Sequence, residues 1–146
     1  MNTIEGNKII AEFLEWEMID EEGRIAVPNL YPFTVTTKDK RSTGWTSCFA
    51  DELEFHTSWD WLMPIIEKIE SDFNPAIKTW VSINGRECGM WNYFDVTEIL
   101  REGQKAEDYE RFKVQANGKT KIEATYSAVL QFIQWYTTHS PLNPHP

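Results

Sequence analysis

The 146-residue sequence is poor in cysteine, in basic residues and in long apolar runs, and each shortage excludes a class of protein. Its two cysteines, Cys48 and Cys88, lack the close Cys or His neighbours of a zinc knuckle or a disulfide framework. No apolar run approaches the roughly 18 residues of a membrane span. The N-terminus lacks the basic and apolar segments of a secretory signal. We therefore expect a cytoplasmic protein with reduced thiols, although only geometry decides whether a Cys48–Cys88 bridge forms.

Acidic residues outnumber basic ones, since 23 Asp and Glu accompany 14 Lys and Arg and give a net charge of −9. Direct nucleic-acid binding is not expected, because phosphate contacts need Lys and Arg. Residues 1–23 carry seven acids and one base, a net charge of −6. Such a surface would suit a basic, nucleic-acid-binding surface on another protein, although a solvated face that aids solubility explains the same pattern. The candidate contact residues are Glu12, Glu15, Asp20, Glu21 and Glu22.

Apolar periodicity predicts one α+β domain over residues 1–139, followed by a flexible, Pro-rich tail at 140–146. We expect two layers, with three helices on an antiparallel sheet of about four strands. The predicted helices cover residues 3–18, 60–72 and 121–138, with a further helical turn at 95–101. Alternating and β-branched segments predict strands at 33–37, 53–56, 76–83, 86–94 and 109–116.

Turn and cap residues mark the ends of these elements. Gly23 is expected to follow the first helix, and residues 38–52 are predicted to form a surface loop. The dipeptide Asn84-Gly85 predicts a type I′ hairpin turn. Thr120 and Glu123 have the spacing of a capping box, which places the start of the last helix between them.

Seven tryptophans make the chain unusually aromatic. Trp59 and Trp135 lie on apolar helical stripes and are predicted to be core residues. Trp45 stands in the predicted loop and is the best candidate for exposure, while Trp80 and Trp91 could share one face of the hairpin. Exposed aromatic side chains suit a protein partner or a stacked sugar or base, so these last three are candidate binding residues.

Two local patterns could carry chemistry. His56 and Asp60 flank a predicted strand-to-helix junction, where a His beside a carboxylate could act as a general base. Capping of the helix by Asp60 explains that pattern more simply. Residues 118–120 match the second half of a phosphate-binding loop, but the glycine required five positions earlier is Lys113. The sequence therefore predicts no catalytic residue, no metal site and no cofactor.

Three segments resemble a group of uncharacterised small proteins encoded by tailed phages and prophages. They are the N-terminal Asn7–Phe13, the SWDWLMP-containing Phe55–Glu70 and the KIEA-containing Lys121–Tyr136. The resemblance implies expression inside a bacterial host and supplies no site residues. It favours a non-enzymatic accessory protein that binds a host protein, with inhibition of an antiviral defence protein, as anti-CRISPR proteins do, as the specific role. The alternatives are a nucleotide- or sugar-binding module and an enzyme that uses His56 and Asp60.

Overall fold

A computed structural model of the chain describes residues 2–32, 44–71, 77–94 and 113–138. The helices of this part are α1 (Thr3–Phe13), α2 (Trp59–Ser71) and α3 (Lys121–Thr138), with a 3₁₀ turn at Ala50–Glu52. The strands are β1 (Ile25–Pro28), β2 (Trp45–Cys48), β3 (Ile77–Asn84), β4 (Glu87–Phe94) and β5 (Lys113–Asn117). The predicted α+β class is confirmed, but the described strands form two antiparallel sheets, β1–β2 and β3–β4–β5, instead of one.

The chain divides into two compact units, residues 1–65 and residues 66–146, with the boundary inside α2. The single domain over 1–139 stays a prediction. The strand predicted at 33–37, the helical turn at 95–101 and the tail at 140–146 lie outside the described residues.

Helix α1 ends well before its predicted bound, because the chain turns into the left-handed region at Glu15, where φ is 64°. The backbone N–H of Trp16 donates to the carbonyl of Ala11 at 2.9 Å, and that of Glu15 donates to Glu12 at 3.0 Å. These two bonds form a Schellman motif, whose left-handed position is usually glycine. The first helix therefore ends without the glycine signal that sequence reasoning looks for.

We expect Glu15→Gly to raise the free energy of unfolding by about 0.5–1 kcal/mol, since glycine adopts a positive φ without steric cost. Urea unfolding measures the change. Glu15→Gln is the matched control, because it removes the same charge and keeps the strained backbone. Equal stabilisation by both variants would show that charge, and not φ, is the cause.

Two further sequence predictions in residues 1–65 are wrong. Residues 45–48 belong to strand β2 and not to a loop, because they pair antiparallel with β1, which is buried along its whole length. Residues 53–56 follow the 3₁₀ turn and form no strand. In β2, Trp45 and Thr46 favour a strand, whereas the polar, glycine-containing residues before them favour a loop, and the pairing with β1 decides between the two.

Four aromatic side chains form the centre of residues 1–65. Trp16 lies edge-on to Tyr31 with ring centroids 5.0 Å apart, and the fully buried Phe55 lies 5.3 Å from Trp61. Edge-to-face pairs contribute about 0.5–1.5 kcal/mol each beyond their buried area. The hydroxyl of Tyr31 donates a hydrogen bond to the carbonyl of Trp61, which fixes the first turn of α2 to this cluster.

Tyrosine burial makes stability sensitive to alkaline pH. Burial raises the pKa of Tyr31 above its ordinary value and raises the pKa of Tyr126 from 10.0 to about 12. A raised folded-state pKa favours the neutral phenol, so this contribution is complete below pH 10.0 and is lost as the pH rises through the folded value. We expect the free energy of unfolding in urea to fall as the pH rises above 10.0. Tyr126→Phe should make the fall shallower, and an equally steep fall in the variant would contradict this cause.

Residues 66–146 contain the three-stranded sheet and α3. Strands β3 and β4 pair from Ile77↔Phe94 to Asn84↔Glu87, so the turn consists of Gly85 and Arg86 and lies one residue beyond its predicted position. Gly85 has a φ of 60° and Arg86 has no positive φ, which excludes a type I′ turn and fits type II′. The sheet and α3 form two layers of this unit, since α3 packs on β4 and β5.

Helix α3 has the predicted bounds. The hydroxyl of Thr120 accepts the N–H of Glu123 at 3.2 Å, as its cap position predicts. Its buried stripe faces the sheet through small residues, with Ala124 and Ala128 both 0% exposed, so helix and sheet approach closely. On the sheet side the buried residues include Cys88, Met90 and Ala116.

Candidate functional site

The clearest candidate site is the face of β3–β4–β5 opposite α3, called the indole face below. Strand alternation places buried side chains toward α3 and exposed ones on this face. Its middle strand contributes Glu87, Gly89 and Trp91. Among the residues whose side chains the structure describes, those of the indole face are Trp80, Ser82, Asn84, Glu87, Gly89, Trp91, Lys113, Gln115 and Asn117.

Trp80 and Trp91 occupy directly opposed positions on β3 and β4. Their rings are nearly parallel, with an interplanar angle of 12° and centroids 5.9 Å apart. Trp80 is 54% exposed and Trp91 is half-buried. The structure therefore brings together two of the three tryptophans singled out by sequence, as a stacked pair at the surface.

Gly89 leaves room for the side chains beside the stacked pair, and sequence reasoning missed it. A Cβ at this position would lie 2.9 Å from Oε1 of Gln115 and 3.4 Å from Cζ3 of Trp91. Both side chains thus lie across the backbone of Gly89. Nε2 of Gln115 also donates to Oε2 of Glu87 at 3.3 Å, which forms a polar row next to the indoles. The sequence signal available for this position was a glycine inside a predicted strand, because such a glycine marks a place where another group approaches the backbone closely.

A shallow cavity of about 480 Å³ adjoins the turn end of the indole face. Glu87 and Asn117 belong to both, so the face and the cavity form a continuous surface. The cavity is lined by Arg86, Glu87, Asn117, Gly118, Lys119 and Glu123.

Residues 118–120, which match the second half of a phosphate-binding loop in sequence, form a turn and a helix cap in the structure. The N–H of Gly118 donates to the carbonyl of Arg86 at 3.1 Å, and Thr120 caps the N–H of Glu123. The carboxylate of Glu123 lies in the first turn of α3, where it disfavours a second anion. This arrangement does not fit a phosphate.

The predicted acidic residues are all exposed, and they lie in residues 1–65. Glu12 and Glu15 mark the end of α1. Asp20, Glu21 and Glu22 lie at the tip of a hairpin that pairs Met18 with Ile25.

Asp20 differs from the other four acids because its carboxylate is used within the tip. Its Oδ1 accepts the backbone N–H of Glu22 at 3.0 Å and that of Arg24 at 3.2 Å. Its Oδ2 lies 3.9 Å from Nε of Arg24. Asp20 therefore shapes the tip that presents Glu21 and Glu22.

Trp45 is 42% exposed at the start of β2, although the loop predicted around it is a strand. It belongs to residues 1–65, whereas Trp80 and Trp91 belong to residues 66–146. The two tryptophans predicted as core, Trp59 and Trp135, are half-buried.

The two residues suggested for catalysis, His56 and Asp60, lie next to the start of α2. His56 is half-buried in a turn, and Asp60 is exposed in the first turn of α2, where a negative charge favours the helix. Cys48 and Cys88 are free thiols. Burial raises the pKa of both, which disfavours a nucleophilic thiolate, while a hydrogen bond with Thr125 partly lowers that of Cys88.

Residues 2–32, 44–71, 77–94 and 113–138 contain no cluster of three or more His, Cys, Asp or Glu that could hold a metal ion. Within these ranges, no helix combines the length and apolarity needed to cross a membrane. The candidate surfaces are therefore defined by their own geometry and charge.

No protein-family model matches the chain, and no curated protein or solved structure matches it either.

Proposed function

We propose that the chain is a non-enzymatic protein that binds a basic surface on a partner protein through the acidic surface formed by Glu12, Glu15, Asp20, Glu21 and Glu22. The observation that carries the proposal is the segregation of charge. Residues 1–65 contain 12 acidic and 5 basic residues, a net charge of −7, whereas residues 66–146 contain 11 and 9, a net charge of −2. Concentrated charge of one sign steers association with a partner of the opposite sign.

The resemblance to phage proteins specifies the partner in this proposal. The chain would act in the cytoplasm of a bacterial host on a host protein that binds nucleic acid. An acidic surface competes with nucleic acid for the Lys and Arg residues that contact phosphates. Occupying them would inhibit an antiviral nuclease or its regulator without any catalytic step.

Affinity capture from a bacterial lysate tests the proposal with a charge-matched pair of variants. The test variant carries Gln at residues 12, 15, 21 and 22, and it keeps Asp20 because that carboxylate holds the hairpin tip. The control replaces four exposed acids elsewhere, with Asn at Asp51 and Gln at Glu54, Glu67 and Glu70.

We expect the wild type and the control to capture a basic, nucleic-acid-binding protein at about 0.1 M salt and to release it at about 0.5 M. The test variant should capture at least roughly tenfold less, because the interfacial charges are gone. Equal loss in both variants would indicate non-specific charge attraction. Undiminished capture by the test variant would refute the acidic surface as the binding site.

The stacked pair of Trp80 and Trp91 supports a second candidate function, a small-ligand module for a nucleotide or a sugar. Planar ligands and sugar rings stack on exposed indoles. A ligand that binds only the native state raises the melting temperature. A thermal-shift screen of nucleotides and sugars should find a stabilising ligand whose effect disappears in Trp80→Ala. A shift that persists in this variant would place the ligand elsewhere.

A further inference from the structure

We infer that the indole face and the adjoining cavity bind a neutral oligosaccharide. The inference rests on the small-ligand function proposed above and specifies its ligand class. Its basis is the combination of a stacked indole pair, a row of planar polar side chains and nearly balanced charge on one continuous surface. Each of these features selects against a different alternative.

The indole pair supplies the apolar part of the site. Trp80 and Trp91 stack on each other within 12° of parallel, so each indole covers part of the other and the exposed part of Trp80 forms the platform for a ligand. The π-face of an indole is electron-rich, and the C–H groups on one side of a pyranose ring carry partial positive charge. A sugar ring therefore stacks on this platform while its hydroxyl groups stay at the rim.

The polar row supplies donors and acceptors at that rim. Gln115 and Glu87 form a hydrogen-bonded amide–carboxylate pair, which Gly89 allows to lie beside the indoles. The exposed amides of Asn84 and Asn117 flank Glu87, with Asn84 opposite it on β3 and Asn117 opposite it on β5. Hydroxyl groups both donate and accept, as amides do, so this set matches a polyhydroxylated ligand.

The charge of the surface disfavours a nucleotide. On the strands, the described side chains of the indole face include one acid, Glu87, and one base, Lys113. The cavity adds Arg86 and Lys119, which are accompanied by Glu123. Together these side chains carry three positive and two negative charges, a net charge of +1, which offsets only part of the roughly −2 charge of a terminal phosphate. Free N–H groups at a helix start also bind phosphate. Here the N–H of Glu123 is already bound by Thr120, as described above.

The length of the surface favours a chain of sugars over a single ring. Trp91 and Glu87 are four residues apart on β4, so the platform and the cavity edge are about 13 Å apart along the strand. A ligand that uses both the indoles and the cavity must span this distance. A short oligosaccharide does so with one ring on the indoles and later rings along the polar row.

A two-dimensional NMR titration tests the inference through the indole N–H signals of the seven tryptophans, assigned with single Trp→Phe variants. The probes are cellotetraose, chitotetraose and maltotetraose, with AMP and a thymidine tetranucleotide as charged comparators. We expect at least one neutral tetrasaccharide to shift the signals of Trp80 and Trp91 saturably. Trp45 is the internal control, because it is 42% exposed and lies in the other unit.

Two variants check the geometry. Trp80→Ala should weaken sugar binding by about tenfold, through loss of one stacking contact. Gly89→Ala should weaken it by roughly fivefold, because the added methyl displaces the amide of Gln115 and crowds Trp91 while both indoles remain. Unchanged indole dispersion in the free protein confirms that each variant is folded.

Different outcomes would contradict the carbohydrate inference and the small-ligand function on which it rests. If AMP or the tetranucleotide shifts Trp80 and Trp91 and no sugar does, the carbohydrate inference is wrong and the small-ligand function stands. If no probe moves either signal, both are wrong. Sugar-induced shifts that Trp80→Ala leaves at full affinity would also overturn the inference.

Discussion

Asn7→Ala is expected to lower the free energy of unfolding by about 2–4 kcal/mol, a large share of the stability of a small protein. Asn7 is 0% exposed on α1, and its Nδ2 donates to the carbonyls of Ala50 at 2.9 Å and Leu53 at 3.2 Å. Both acceptors belong to buried residues, and removal of the amide takes a hydrogen bond from each, although the carbonyl of Ala50 still accepts the N–H of Leu53 at 3.3 Å. Alanine improves the helix propensity of α1 by about 0.5 kcal/mol, which offsets only a small part of the loss.

Urea unfolding of Asn7→Ala and of the control Asn29→Ala measures this effect. Asn29 is exposed and its side chain accepts one hydrogen bond, from the hydroxyl of Thr46, so we expect its variant to lose no more than about 1 kcal/mol. A loss below about 1 kcal/mol for Asn7→Ala would contradict the role of the buried amide. That result would mean that water or a backbone shift satisfies the two carbonyls.

Gly118→Ala is expected to cost about 2–3 kcal/mol, for a steric reason. A Cβ at this position would lie 2.7 Å from the backbone nitrogen of Ala124 and 3.1 Å from the carbonyl carbon of Glu123. Those atoms belong to the first turn of α3, and α3 packs on the sheet, so they cannot move away locally. The expected relief is a shift of the whole helix start.

Gly89→Ala is the matched control, because its new Cβ would approach a neighbour at 2.9 Å as well. The neighbour is the end of the Gln115 side chain, which rotates away cheaply. We expect a loss of less than about 1 kcal/mol there, measured by the same urea unfolding. Equal losses at the two glycines would contradict the distinction between a backbone and a side-chain obstacle.

The elements that sequence predicted well carry their own boundary signals. Helix α3 has the expected bounds because a cap residue, Thr120, precedes a regular apolar stripe. The end of α1 was missed because Glu15 occupies the left-handed position where glycine is usual. Strand β2 was missed because the polar, glycine-containing residues before it favour a loop, while its pairing with β1 is a tertiary interaction.

The candidate site was predicted only in part, and the missing part is register. With the predicted turn at Asn84-Gly85, Trp80 would face Gly89 across the hairpin. The observed turn lies one residue later, so Trp80 faces Trp91 and the indoles stack. When the turn shifts by one residue along the chain, the residue opposite each strand position changes by two. Because side chains alternate with a period of two, they stay on the same face of the sheet. Pattern alone therefore predicted the shared face and not the stacked pair.

The tryptophans are divided between an exposed sheet face and a buried aromatic cluster, and fluorine NMR tests this division directly. Fluorotryptophan labelling gives seven fluorine NMR signals, whose broadening by a soluble gadolinium chelate reports exposure to solvent. We expect the Trp80 signal, from a residue 54% exposed, to broaden most and the Trp16 signal, from a residue 4% exposed, to broaden least. Broadening of Trp16 as strong as that of Trp80 would contradict both the aromatic core of residues 1–65 and the exposed indole face.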